Sequence, residues 1–237
     1  MQQPNFYGLL EDAAPLGKIA HDCGAKFIMG CNPIALAVMK TPAECDADIA
    51  VGEGQPLGLP LAFGGPYLGF MSCTEKMMRK LPGRIVGETT DIDGKRAYVL
   101  TLQAREQHIR REKASSNICS NQALCALTAS VYLAAMGEEG LQETARQCIS
   151  KANYAIQKLT EIDGFDLRFK GMRFHEFVTT CPIGVEKLLL SLEEQGILGG
   201  LPLSGELSGC ILWCVTEMNS KEEIDRLAVI LKEVCAR

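Results

Sequence analysis

The residues best suited to chemistry lie at 105–117, where REQHIRREK is followed by Ala114, Ser115, Ser116 and Asn117. Arg105, Arg110 and Arg111 carry planar guanidinium groups that match carboxylates and phosphates bidentately. His108 is one of three histidines in the chain and could exchange a proton near neutral pH. The bland alternatives are a solvated charged face and a hydrogen-bonded structural histidine. Ser115, Ser116 and Asn117 stand before an apolar stretch at 118–136 that has helical spacing. They could cap that helix, or the same hydroxyls and free N–H groups could bind an anion there.

A second stretch, 52–69, holds six glycines and three prolines in GEGQPLGLPLAFGGPYLG. Such density excludes helix, and proline removes the ladder donors a central strand needs. It follows an apolar run at 47–51 that reads as a strand. The stretch is therefore a tightly turned loop made for close approach to something. Gly52, Gly54 and Gly58 partly fit a dinucleotide-binding turn. However, Pro56 and Pro60 occupy the place where that motif needs a helix to begin.

The chain has 237 residues, 47% hydrophobic and 22% charged, with a net charge of −5. That is a globular balance, and the negative charge argues against nucleic acid or an anionic membrane as partner. No apolar run reaches bilayer length. Nothing at the start resembles a signal peptide, so a cytoplasmic protein is expected. The 11 cysteines are scattered, form no CxxC and read as reduced core thiols. The closest pairs, Cys210/Cys214 and Cys119/Cys125, have no neighbouring histidine, so no metal site is predicted.

The elements that must position these residues follow from pattern. A short helical region broken by Pro15 covers 9–20, and no first strand is evident before it. Runs at 26–29, 34–39 and 47–51 read as strand, helix and strand, a βαβ unit of a parallel sheet. A strand at 68–73 and a short helix at 75–80 come next, followed by flanks at 84–88 and 98–102 around Asp91-Ile92-Asp93-Gly94 that read as a hairpin or a pair of extended arms. Two long helices, 118–136 and 138–162, meet at Gly137. Beyond them, strands at 166–170, 174–181 and 209–216 alternate with helices at 185–195 and 221–234, a small α+β layer. Two domains are expected, 1–138 and 139–237. Read alone, these residues describe an α/β protein with a ligand- or partner-facing loop.

Longer motifs add a resemblance. GEGQPLG with PLAFGGPYLGF, then PGRIVGET, then DGKRAYVLTLQAREQHIRREKASSNICSNQAL, and finally HEFV and CVTE are similar to one family. It is the alpha subunit of the bacterial two-subunit glycine dehydrogenase (decarboxylating), the P-protein of the glycine cleavage system. The likeness covers essentially the whole chain, which looks like the C-terminal half of such a subunit. It implies the aspartate-aminotransferase-like (type I) pyridoxal-phosphate fold, here a partial large domain followed by a small C-terminal α+β domain. It also implies a heterotetramer with the glycine dehydrogenase beta subunit. That assembly decarboxylates glycine on pyridoxal phosphate and passes the aminomethyl group to the lipoyl arm of H-protein.

In the family the cofactor lysine belongs to the beta subunit, in an N-L-H-K-T-type segment followed by glycine-rich H-G-G-G-G-P-G. The matching stretch here is 52–56 followed by Phe63-Gly64-Gly65-Pro66, which sets the lysine's place at Gln55 or Pro56. No lysine occurs between Lys40 and Lys76. Covalent attachment of the cofactor needs a lysine amine. The resemblance therefore implies no catalytic residue of that kind in this chain, with pyridoxal phosphate held by the partner subunit. Ser115, Ser116 and Asn117 become candidates for contact with the cofactor phosphate. His108, Arg110 and Arg111 become candidates for the substrate channel or subunit interface. Two rival expectations remain: a structural subunit that only stabilises its partner, and an independent enzyme using another lysine such as Lys113.

Overall fold

The computed structural model describes residues 1–114, 116–117 and 121–236. Its first sheet has four strands in the order β1 (Gln2–Gln3), β2 (Ile28–Cys31), β3 (Ile49–Glu53), β4 (Gly69–Cys73). The first three are parallel, and β4 is antiparallel to β3. The expected parallel β2–β3 pair is present, each strand two residues later than its apolar run. The start of the chain, where no strand was expected, contributes β1. Two glutamines carry no β signal; β1 exists because β2 offers it a free edge.

Helix α1 (Ala13–Asp22) joins β1 to β2. Pro15 sits in its first turn, where backbone N–H groups have no intrahelical acceptor, so the proline starts the helix and does not break it. The helix expected at 34–39 is one 3-10 turn, Ala35–Ala37. Asn32 Oδ1 accepts from the Ile34 and Ala35 amides at 2.9 and 3.2 Å, and the run is too short to propagate further. Beneath α1, Met29 and Cys31 of β2 pack on Ala13, Phe27 and Cys45. The opposite face is open: Ile28 of β2 and Met71 of β4 are exposed.

Asp48, buried just before β3, ties this layer together. Its carboxylate accepts from Lys26 Nζ at 2.7 Å and from the Phe27 amide at 3.0 Å, and His21 Nε2 lies 2.8 Å away. These donors hold the Asp48 carboxyl well below the usual aspartate range, Lys26 contributing most and His21 next.

After a 3-10 helix at Glu75–Lys80, strands β5 (Ile85–Thr90) and β6 (Arg96–Thr101) form the expected hairpin. Asp91 Oδ1 closes its turn by accepting from the Asp93 and Lys95 amides. A short helix, α2 (Gln107–Arg110), follows, and then α3 (Ala123–Thr160). Gly137 interrupts α3 with φ 61° and ψ −172°, a backbone state a side chain would resist, so the break falls where expected.

Beyond it, β7 (Glu176–Thr180), α4 (Val185–Glu193), β8 (Leu201–Pro202), β9 (Cys210–Cys214) and α5 (Lys221–Cys235) build an antiparallel sheet in the order β7-β9-β8. The second half of α3, α4 and α5 cover one face of it. Leu159, Leu188, Leu192, Ile211 and Leu231 there are fully buried. The expected strand at 166–170 is reduced to one bridge, Leu167 to Thr179. The Asp166 carbonyl accepts from the Thr180 amide, but the Asp166 amide spends its hydrogen bond on Thr180 Oγ1 and not on a backbone carbonyl, so the pairing extends no further that way. β8 was not predicted, since a Leu-Pro pair carries no strand period.

The chain's beginning packs on the far side of this second sheet. Tyr7 stacks against Phe169 at 4.9 Å beside Val178 and Leu212. Gly8, at φ +79°, lies so close to Glu176 that a Cβ would fall 2.1 Å from its carbonyl oxygen. No described helix is long and apolar enough to cross a membrane.

Candidate functional site

The glycine-rich loop leaves the end of β3. Gly52 is still in the strand, between Cys31 and Phe70, and a Cβ there would come within 2.4 Å of the Cys31 carbonyl oxygen. The Glu53 carboxylate closes the loop's neck by accepting from the Gln55 amide at 3.0 Å and the Leu68 amide at 2.8 Å. The Gly54 amide donates to the Leu68 carbonyl at 2.6 Å. Gly58 sits on the Tyr132 ring of α3, where a Cβ would be 2.9 Å away. The neck is therefore pinned, while the tip is open: Leu61 is 84% exposed and Phe63 fully so.

Gln55 is one of the two positions, with Pro56, that the resemblance matches to the cofactor lysine. Its side-chain amide donates to the Pro60 carbonyl at 3.1 Å, across the loop. The nearest lysines in sequence, Lys40 and Lys76, lie outside the loop. The residues present thus do not fit covalent attachment of pyridoxal phosphate at this loop.

The charged segment is framed by two strained residues. Leu102 has φ 54° and ψ 28°; Arg111 has φ 54° and ψ −123°. Positive φ on residues with a Cβ costs on the order of 1–3 kcal/mol and persists only where surroundings enforce it. Between them, a 3-10 turn at Gln103–Arg105 runs into α2, which carries His108 and Arg110. Arg110 Nε donates to the Ala104 carbonyl at 3.1 Å, so that guanidinium braces its own turn. Arg111 and His108 are exposed. His108 lines a pocket of about 320 Å³ with Arg84, Thr101, Gln103 and Glu106. The pocket's lining includes an arginine, a histidine and a glutamate, residue types that suit a small zwitterion or carboxylate. Arg84 was not among the predicted site residues. It precedes β5, and only the β5–β6 pairing, Ile85 opposite Thr101, brings it beside His108.

Ser116 bridges to Glu106, at the edge of this pocket, and Asn117 is exposed. Ser115 lies outside the described residues. The helix-cap reading of this trio does not hold: α3 begins at Ala123, with Gln122 at its N-cap and Asn121 Oδ1 accepting from the Ala123 amide at 3.2 Å. Ser116 and Asn117 are more than a turn too early to cap it. Asn121 is the residue that sequence reasoning missed there, and its Asx-type turn before an apolar run was the available signal.

The comparisons with known proteins point one way. The family model for the glycine cleavage system P-protein matches residues 1–231. The probable glycine dehydrogenase (decarboxylating) subunit 1 of Desulfitobacterium hafniense is 51% identical over 237 residues, 99% of this chain and 53% of that protein. Its namesake in Desulforamulus reducens is 52% identical over 234 residues, 98% of this chain and 52% of that one. The chain spans about half the length of the curated relatives it matches. Among solved structures, glycine decarboxylase (P-protein) of the glycine cleavage system, in inhibitor-bound form, superimposes with a TM-score of 0.94 at 43% identity, covering 99% of this chain and 54% of that one. A NifS-like protein from Rickettsia africae superimposes at 0.67 with 15% identity, 98% of this chain and 59% of that one, a likeness of fold alone. The fold is that of the pyridoxal-phosphate-dependent proteins. The chain belongs to the glycine cleavage system P-protein family.

Proposed function

We propose that this chain forms part of the alpha subunit of a glycine decarboxylase, the subunit without the cofactor lysine, completing an active site whose cofactor is held by a beta subunit. The observation that carries this reading is Gln55. The lysine's place falls on Gln55 or Pro56, neither of which carries an amine, and the Gln55 amide is spent on the Pro60 carbonyl within a glycine-rich backbone. A partner must then supply the amine. Held by that partner, pyridoxal phosphate would supply the electron sink for loss of carbon dioxide from glycine, with the lipoyl arm of H-protein as acceptor of the aminomethyl group.

This chain's part is binding and positioning. The pocket with Arg84 and His108 offers an anion-binding wall for the glycine carboxylate. The strain at Leu102 and Arg111 holds that wall in one shape. Ser116 and Asn117 stand next to it, and with Ser115 they remain the candidates for the cofactor phosphate. The exposed tip of the 52–69 loop and the stripe Leu124, Leu127, Val131 on α3 suit the beta subunit's surface. We place the domain boundary at the Gly137 break, giving 1–138 and 139–237, and the complex in the cytoplasm.

The test is to co-express the full-length alpha subunit with its beta subunit, reduce the holoenzyme with borohydride, and locate the labelled lysine. Label on the beta subunit, with a raised KM for glycine in Arg84→Ala, is the expected result. Label on this chain would overturn the reading. Unchanged kinetics in Arg84→Ala and in Ser116→Ala with Asn117→Ala would leave a purely structural subunit.

A further inference from the structure

We propose that His175, Glu176 and Cys214 form a divalent-metal site of the zinc type, with three protein ligands and one open position. One ligand atom from each residue lies within 4.8 Å of the other two. Sequence spacing hides this cluster, because Cys214 is far from the HEFV motif. The β7–β9 pairing creates it: Glu176 stands directly opposite Cys214 in the antiparallel register, so both side chains rise from the same face. His175 immediately precedes β7, and its backbone is fixed by the Val215 amide, which donates to its carbonyl at 2.9 Å. Nitrogen, oxygen and sulfur from one His, one carboxylate and one Cys make a borderline-soft set that suits zinc or cobalt over magnesium or calcium.

Three further observations agree. His175 Nδ1 is buried and has no hydrogen-bond partner. A buried imidazole nitrogen left so is costly, and a metal or a metal-bound water would satisfy it. The local charge is acidic: Glu217 stands close enough to act on both His175 and Cys214, and it accepts from Cys148 Sγ at 3.2 Å. Binding a divalent cation releases the thiol proton to solvent as the Cys214 sulfur becomes a thiolate ligand. There is also a way in. Cys214 is exposed, and with Glu176 it lines a cavity of about 540 Å³ between β9 and α5.

The experiment is a cobalt titration of the full-length subunit after chelator treatment, followed by absorbance and then displaced with zinc. One equivalent should give tetrahedral visible bands and a near-ultraviolet thiolate-to-cobalt band, both bleached by zinc. Cys214→Ser should abolish the thiolate band and weaken binding at least about 100-fold, beyond the loss typical of an outer-shell change. Glu176→Gln should weaken binding while keeping the thiolate band. Cys23→Ser, at an exposed thiol outside the cluster, should change neither. Circular dichroism of each variant separates lost ligands from lost folding. A folded wild-type subunit with no thiolate band would overturn the proposal, as would a band that survives in Cys214→Ser.

Discussion

Beyond Gly137, three helices and a sheet enclose Leu159, Leu188, Leu192, Ile211 and Leu231 completely. Between residues 51 and 122 the one described residue that is buried is Gly54. The two regions differ in what their apolar side chains do. In the first they meet each other. In the second, Val86, Tyr98 and Val99 face outward, as do Leu61 and Phe63 at the loop tip, and Leu124, Leu127 and Val131 on the adjoining start of α3 are exposed too. A region that carries a strained turn and a pinned loop with so little enclosed core is held by local hydrogen bonds and strand pairing, and under the function proposed above it would gain further order from the subunit it docks against. The enclosed region supplies the stability that lets the other remain open.

The largest expected effect tests that division directly. Leu188→Ala removes a fully buried side chain and should cost about 2–5 kcal/mol in urea unfolding. Val86→Ala, in the exposed hairpin, should stay within about 0.5 kcal/mol. Equal losses would break the comparison. Gly8→Ala comes next, because Gly8 is where the start of the chain docks on β7. Its positive φ alone predicts about 1–2 kcal/mol, and displacement of the Glu176 carbonyl adds to it. A smaller loss is expected from Trp213→Phe. The indole N–H donates to Thr179 Oγ1 at 2.9 Å inside the core, and removing it should cost on the order of 1 kcal/mol.

Much of this division can be read from the sequence, for identifiable reasons. Gly137 marks the break in α3 because only glycine takes that backbone state cheaply. Asp91 to Gly94 marks the hairpin because the Asp91 carboxylate closes its own turn. The loop at 52–69 is legible from proline and glycine alone. What resists reading is whatever depends on strand pairing. Arg84 reaches His108, and Glu176 reaches Cys214, through registers that no local pattern encodes. Short elements fail for a related reason. β1 and β8, of two residues each, are dictated by a neighbour's free edge and not by their own side chains. The start of α3 differs from the expected one because Ser and Asn at 115–117 are strong capping residues on paper, whereas the helix begins at Ala123 after Gln122, with no side-chain cap, behind the Asx-type turn of Asn121.

A pH experiment sharpens the comparison within the first sheet. Asp48 is ionised more readily in the folded state than unfolded, through Lys26, His21 and the Phe27 amide. The unfolded chain therefore binds more protons in acid, and stability rises with pH there. The contribution is complete above the ordinary aspartate pKa of about 3.9 and fades as pH falls toward the lower folded value. Asp48→Asn should lower stability from about pH 5 upward, neutrality included, and change it little in strong acid, so that the acid limb of the curve flattens. An unchanged acid limb would mean that the first sheet does not set acid stability and that the enclosed region does.

The smallest global effect should come from Gln55→Ala, and it is the most telling about the loop. The substitution removes one half-exposed hydrogen bond, to the Pro60 carbonyl, and should cost about 0.5 kcal/mol. The neck bonds from Glu53 and Gly54 remain, so the loop stays attached to β3 and β4. Its interior should nonetheless loosen, seen as faster amide exchange at 57–63 with exchange in β7 and β9 unchanged. If the loop is scaffold for a neighbouring active site, turnover of the assembled enzyme should fall by more than so small a loss of stability would explain. A stability loss as large as that of Trp213→Phe would place the loop with the enclosed region. Unchanged turnover with a loosened loop would remove it from the site altogether.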